Sequence, residues 1–547
     1  MPLTLITGRA NTGKTGRAIS AYRDALASGG SPVLILPAAP DVSRMKTELA
    51  AEATLGISVM TFDAYVAMCW KEIGDGRRIV SPVQRRALIE RALVNQQILG
   101  AGMRTLVARA VEHMATGGET WRSLPKDEGP GGPVAGAVSA YGVGLQEQGL
   151  IEMGEAAASL VQSRNTPIIF HRFSDLTPAQ EGFILAASGG GAHVVLTLTW
   201  EEGFAPTEFL DPLIGRLAET AHREHIPATA TYTADPELRR IEAELFGGPA
   251  PGDMSGSVVF LMGEGPEAEA DVIVGRVSSL IADGIAPERV AVVFRNLQKR
   301  AGAIRRAFAE ARISVDIDMP TAFGDIPLGR AYSQAVSFVA DGRRCDLLAL
   351  VRSGYFCAET DACRSVIRGW LSAGTYEPRR LLAQTKDFGP WQERVLRALR
   401  KAGQDPDADA LLWDELATRM FTQRHGVSAS SDVELSADAA ARSSLTRLLE
   451  DLRDLRAQEL DAGSLKAALE EYSIGTRQVE RVGHVQVTSA ERIRGRRFDA
   501  LVLGGLVAGE FPLASEDPLR SEVLGPLWAG AGVSPPKRRE ALSLIHI

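Results

Sequence analysis

The run Leu3-Thr-Leu-Ile-Thr-Gly8-Arg-Ala-Asn11-Thr12-Gly13-Lys14-Thr15-Gly16 constrains this chain more than any other stretch of it. A short apolar strand leads directly into a Walker A loop. The spacing of that loop lets backbone N–H groups surround phosphates, Lys14 reach the β and γ oxygens, and the Thr15 hydroxyl meet Mg²⁺. A glycine turn beside a lysine is by itself an ordinary feature. Here it follows a strand at Leu3 to Thr7 and precedes a helix at Gly16 to Ala27, so a helix N-terminus receives the anion. The sequence therefore predicts a bound nucleoside triphosphate with Mg²⁺, held by Gly8, Asn11, Thr12, Gly13, Lys14, Thr15 and Gly16, with Thr15 the metal contact.

The rest of the composition narrows the class of protein. A chain of 547 residues makes several domains. With 45% hydrophobic and 23% charged residues it reads as an ordinary globular protein. No uninterrupted apolar stretch reaches membrane-spanning length, and Lys14 and Arg17 interrupt any secretory core, so the expected location is the cytoplasm, without membrane attachment. Cys69, Cys345, Cys357 and Cys363 form no Cys-x-x-Cys pair and are expected to be buried free thiols. The histidines are scattered without metal-ligand spacing. A net charge of −8 argues against gripping nucleic acid over the whole surface. Any DNA contact must be local, and the best candidate is the segment with Arg477, Arg481, Arg492, Arg494, Arg496 and Arg497, where arginine outnumbers Glu480, Glu491 and Asp499.

Strand and helix signals alternate as in parallel sheets covered by helices. A first α/β domain spans 1–74 and 166–246, interrupted by a helical insertion over 75–165. A linker at 247–256 follows. A second α/β domain, opening with a strand at Val258 to Met262, spans 257–344 and 476–540, with a helical insertion at 345–475.

Four blocks then carry a resemblance: the Gly8-to-Thr15 loop, Val59-Met-Thr-Phe-Asp63, the Ile285-to-Ile313 stretch with Val-Val-Phe-Arg295, and Val485-to-Asp499 leading into a buried strand and Gly-Glu-Phe-Pro512. The chain resembles the helicase-like portion of AddB-type subunits of bacterial helicase-nucleases, in the UvrD/RecB-like branch of superfamily 1. The resemblance implies two RecA-like domains, each interrupted by a helical insertion, with ATP between them and single-stranded or duplex-end DNA across the top. It implies that Arg295 reaches the γ-phosphate, and that Thr61, Phe62 and Asp63 lie near DNA, Phe62 offering a stacking face. Arg492, Arg494, Arg496 and Arg497 are the other DNA candidates. It also implies an AddA-type motor subunit as partner in a heterodimer that processes double-strand breaks for recombinational repair.

One departure limits that reading. Active motors of the superfamily end their Walker B strand in Asp-Glu. Here the strand runs Pro167-Ile-Ile-Phe-His171-Arg172, with Asp175 and Gln180 beyond it. A cation at the strand tip opposes Mg²⁺. The expectation is thus ATP binding with weak or no hydrolysis, and no confident catalytic residue. Family members continue into a nuclease domain, often with a four-cysteine iron–sulfur cluster. Neither is read in these residues, so a cluster is expected only beyond them, and the terminal 541–547 resembles translated vector sequence. The competing readings are a self-sufficient DNA helicase and, from another class, a nucleotide-gated scaffold or P-loop kinase.

Overall fold

The computed structural model describes residues 3–50, 57–98, 100–117, 132–160, 166–227, 235–244, 255–357, 361–372, 389–401, 406–427, 432–455, 462–475, 481–493, 495–508 and 510. Arg477, Arg494, nearly all of the expected linker and the terminal 541–547 lie outside the described residues.

The chain is α/β. Its strands are β1 (Leu3–Gly8), β2 (Val33–Leu36), β3 (Val59–Thr61), β4 (Arg78–Ile79), β5 (Leu150–Ile151), β6 (Ile168–Phe173), β7 (Val194–Thr199), β8 (His222–His225), β9 (Val290–Phe294), β10 (Val315–Ile317), β11 (Thr321–Ala322), β12 (Ser473–Ile474), β13 (Val485–Ser489) and β14 (Ala500–Gly504). The first sheet has the order β3-β2-β6-β7-β1-β8, with every pairing parallel. Its strands read as near-continuous apolar runs because both faces are covered. Leu3, Leu5, Val33 and Ile35 turn to a core shared with the helices Phe62–Ile73, Pro178–Gly189 and Asp211–Ala218. Ile6, Leu34 and Leu36 face the opposite core, where Tyr22, Met45 and Leu49 come from the helices Lys14–Ala27 and Ala39–Ala50. A fully buried ring such as Phe170 or Phe183 stabilises this packing by about 1.5–3 kcal/mol.

The second sheet, β10-β13-β9-β14, is also parallel throughout. The helices Gly265–Ala282 and Leu297–Glu310 cover one face, over Val290, Val292, Phe294, Val485 and Val487. The other face, with Ala291, Val293 and Leu503, carries only a small cluster completed by Ala490, Ile493 and Phe498. Val258 to Met262, read from sequence as a strand, pairs with none of the described strands, and Phe260 and Met262 stand exposed. Apolar composition alone cannot make a strand whose backbone groups find no partner.

The two helical insertions are not separate bodies. Residues from Val80 to Leu150 and from Phe323 to Ile474 share one continuous core, including Leu88, Tyr141, Tyr332, Trp413 and Leu448. Gln84 Nε2 donates to the Asp451 carbonyl at 2.9 Å, and Arg78 and Arg86 pair with Asp454 and Glu471. The helix Pro327–Asp341, which the sequence assigns to the second sheet domain, packs in this helical core instead, burying Leu328, Tyr332, Ala335 and Val336. Among the cysteines, Cys69 is free and buried, as expected; Cys345 is free but exposed, and Cys357 is disulfide-bonded rather than a thiol.

A shared core has a measurable consequence. Leu448→Ala should destabilise the chain by about 2–5 kcal/mol. It should also raise amide exchange in the helix Pro82–Asn95, far away in sequence; faster exchange confined to Asp432–Arg453 would contradict a single core.

Candidate nucleotide site between two sheets

In a parallel sheet every strand ends at the same edge, and the C-terminal edge of the first sheet gathers the ends of β1, β6 and β7. Such an edge is where ligands bind in open α/β sheets. Gly8 closes β1 with φ 153°, and a Cβ built there would lie 2.5 Å from the Ile226 carbonyl oxygen and 2.8 Å from Thr12 Oγ1. Only glycine fits. Asn11 and Gly13 both adopt left-handed φ, 58° and 90°, which turns the loop into the helix Lys14–Ala27. Gly13 caps that helix without a side-chain hydrogen bond, so the first turn offers N–H groups to an anion.

Lys14 is buried and folded back on the loop. Its ammonium donates to the Gly8 carbonyl at 2.8 Å, to the Arg9 carbonyl and to Thr12 Oγ1 at 3.3 Å. Phosphate oxygens can replace those acceptors one for one. Arg9 braces the loop from outside, 3.0 Å from Glu201 and stacked over Phe204.

His171, from β6, faces the P-loop threonine. It is 3% exposed, with Nδ1 2.7 Å from Thr197 Oγ1 and Nε2 3.2 Å from Thr15 Oγ1. Thr197 can also donate to the Phe170 carbonyl at 3.5 Å. All three contacts are satisfied together when Nδ1 carries the proton and Nε2 accepts from Thr15. Burial, reinforced by the charges of Arg172 and Lys14, pushes the imidazole pKa down to about 3. Arg172 follows with φ 67°, a backbone conformation that costs a non-glycine residue about 1 kcal/mol or more. Burial lowers its pKa, partly offset by Asp41 and Glu48. Its Nε is buried with no hydrogen-bond partner among the described residues. The guanidinium crosses to the second sheet domain and lies against Gly495, where a Cβ would come within 2.5 Å of Cζ and Nε.

That contact brings Gly495, Arg496 and Arg497 to the P-loop. A cleft of about 520 Å³ is lined on one side by 10–16, 171–174, Thr197 and Thr199, and on the other by Val293, Ile493, Gly495, Arg496, Arg497, Phe498, Leu501 and Leu503. Its volume lies within the roughly 300–1,000 Å³ typical of small-molecule sites. Arg496 also donates to Gln486 Oε1 at 3.0 Å and stacks over Phe498; Arg497 is exposed.

Other sequence candidates fall elsewhere. Arg295 is absent from this lining: its Nη1 donates to Glu491, whose carboxylate competes directly with a phosphate for the guanidinium. Asp175 and Gln180 are occupied with local structure. Asp175 Oδ1 accepts the Leu176 N–H at 2.8 Å, and Gln180 forms a capping box with Thr177. Phe62 is a core ring, 5% exposed and edge-on to Phe183 at 5.4 Å, so it presents no stacking face to DNA. Thr61 caps the helix Phe62–Ile73 by accepting the Ala64 N–H, and Asp63 is exposed in its first turn. Arg492 pairs with Asp318 at 2.6 Å.

A Walker loop implies Mg²⁺, and apart from the Thr15 hydroxyl the described residues of this cleft do not fit one. The described lining contains no Asp or Glu, the strand tip offers a neutral imidazole beside a guanidinium, and no cluster of three metal-ligating side chains occurs among the described residues. Among the described residues, no helix is long and apolar enough to cross a membrane.

The buried imidazole makes stability depend on pH. Its folded pKa lies below the ordinary 6.5, so the unfolded chain takes up a proton that the folded chain refuses until about pH 3. This contribution is complete above about pH 6.5 and is lost as pH falls toward 3. His171→Asn should therefore lose less stability than the parent between about pH 7 and 4 in urea unfolding; parallel losses would contradict a buried neutral ring.

No protein-family model matches this sequence, and no curated protein is significantly similar to it.

Proposed function

We propose that this chain is an ATP-binding, DNA-engaging helicase-like subunit of an AddB-type helicase-nuclease, holding nucleotide between two RecA-like domains with little or no hydrolysis of its own. The observation that carries the reading is the P-loop facing the arginine-bearing edge of a second parallel sheet, with His171 and Arg172 where hydrolytic carboxylates belong.

The chemistry follows from those two side chains. Hydrolysis needs a group that takes a proton from the attacking water, with a pKa near the working pH. His171 holds its proton affinity far too low, and both its nitrogens face threonine hydroxyls. Arg172 is a cation and accepts no proton. What remains is binding: loop N–H groups and Lys14 for the phosphates, with Arg496 and Arg497 across the cleft. A site that binds substrate without favouring the transition state is a clamp, not a catalyst.

DNA contact, the AddA-type motor partner and a role in double-strand break repair rest on the sequence resemblance. Of the DNA candidates, Phe62 belongs to the core and Arg492 is paired with Asp318, which leaves Arg497, exposed beside the nucleotide cleft. A self-sufficient helicase is disfavoured by the missing proton acceptor, and a small-molecule kinase has no use for the second sheet.

The purified chain should bind ATP and turn it over negligibly, with or without single-stranded DNA. Lys14→Ala should weaken binding about tenfold or more, read by calorimetry. Rapid DNA-stimulated hydrolysis abolished by Lys14→Ala would overturn the reading.

A further inference from the structure

We infer that this cleft takes its triphosphate without a metal ion, arginine doing the charge neutralisation that Mg²⁺ performs elsewhere. The inference rests on the nucleotide-binding reading above and specifies the ligand as the free, metal-stripped nucleotide.

Three observations carry it. First, the described lining holds four cations, Lys14, Arg172, Arg496 and Arg497, and no carboxylate. A polyphosphate must have its charge offset to enter a partly dry cleft, and guanidinium groups do this with directional, bidentate hydrogen bonds. Second, the acidic groups near the cleft are turned to other partners. Glu201 pairs with Arg9, Glu224 with Arg17, Glu491 with Arg295 and Glu510 with Arg300. Asp175 accepts the N–H of Leu176, and Asp41 lies 3.7 Å from Arg44. None of these six is left to steady the water shell on which Mg²⁺ depends, an ion that gives up its waters reluctantly, and Glu48, the other acid that acts on Arg172, is exposed on the helix Ala39–Ala50. Third, Arg172 is held against Gly495 at backbone cost, with its buried Nε unpartnered among the described residues. An unsatisfied buried guanidinium nitrogen is an expensive feature that an anion in the cleft relieves.

The arrangement assigns Arg172 a positioning role as well. In the ligand-free chain its guanidinium rests on the segment that carries Arg496 and Arg497. Phosphate oxygens entering the cleft compete for it from the P-loop side. Nucleotide and Gly495 thus compete for one guanidinium.

The test is ATP binding measured by calorimetry in Mg²⁺ and in excess EDTA, with inorganic tripolyphosphate as a second probe. The inference expects affinity in EDTA equal to or tighter than in Mg²⁺, and tripolyphosphate competing in EDTA. Arg172→Asn, which removes the cation yet tolerates positive φ, should weaken ATP in EDTA about tenfold or more and weaken it less in Mg²⁺. Arg497→Ala, at an exposed position, should act in the same direction. Binding that falls tenfold or more in EDTA would overturn the inference and leave the nucleotide reading standing. So would an Arg172→Asn effect that is larger in Mg²⁺ than in EDTA. Absence of binding in both buffers would sink the nucleotide reading itself.

Discussion

The alignment of parallel strand ends is the constraint on which the rest of this molecule depends. Because β1, β6 and β7 all finish at one edge, the P-loop, the His171–Arg172 tip and Thr197 meet without any side chain having to reach far. The same rule places the ends of β9, β13 and β14 together on the second sheet, and Val293, Leu501 and Leu503 on its lightly covered face close the cleft. Two sheets thus create between them a space that neither lines alone.

Within that space, charge decides the chemistry. The motor version of such a site balances Lys and Arg against carboxylates, so that metal and water sit between opposite charges. Here the balance is one-sided. His171 keeps the hydrogen-bonding duty of a carboxylate, orienting the Thr15 hydroxyl, while its depressed proton affinity denies it the duty of a base. Arg172 brings a positive charge to where a negative one would be needed, at the cost of an unfavourable backbone angle. A site with these two side chains is suited, on the reading proposed above, to holding a triphosphate and not to splitting it.

How much of this was legible in the sequence depended on the range of the interactions involved. The P-loop was plain, because its chemistry is confined to eight successive residues and each glycine has a local reason. Parallel-sheet character was plain as well, since Val33–Leu36 and Val290–Phe294 are apolar without alternation. Long-range partnerships were not. Nothing in Phe62 itself says that Phe170 and Phe183 will enclose it, and nothing in Arg295 says that Glu491 will take its guanidinium. The Arg494-Gly495-Arg496 segment was recognisable as basic, but the approach of Gly495 to Arg172 depends on a missing Cβ whose partner the sequence does not name. The merging of the two helical insertions depends on faces that only tertiary packing reveals.

The central claim is that nucleotide bridges two sheets across this cleft. Amide exchange in ATP, followed simultaneously at the P-loop and at the cleft-lining segment beyond β13, tests it most directly. Bridging requires protection to rise at both 8–16 and 493–498. Protection confined to the P-loop, with the second sheet unchanged, would show that the loop binds alone and would contradict the account.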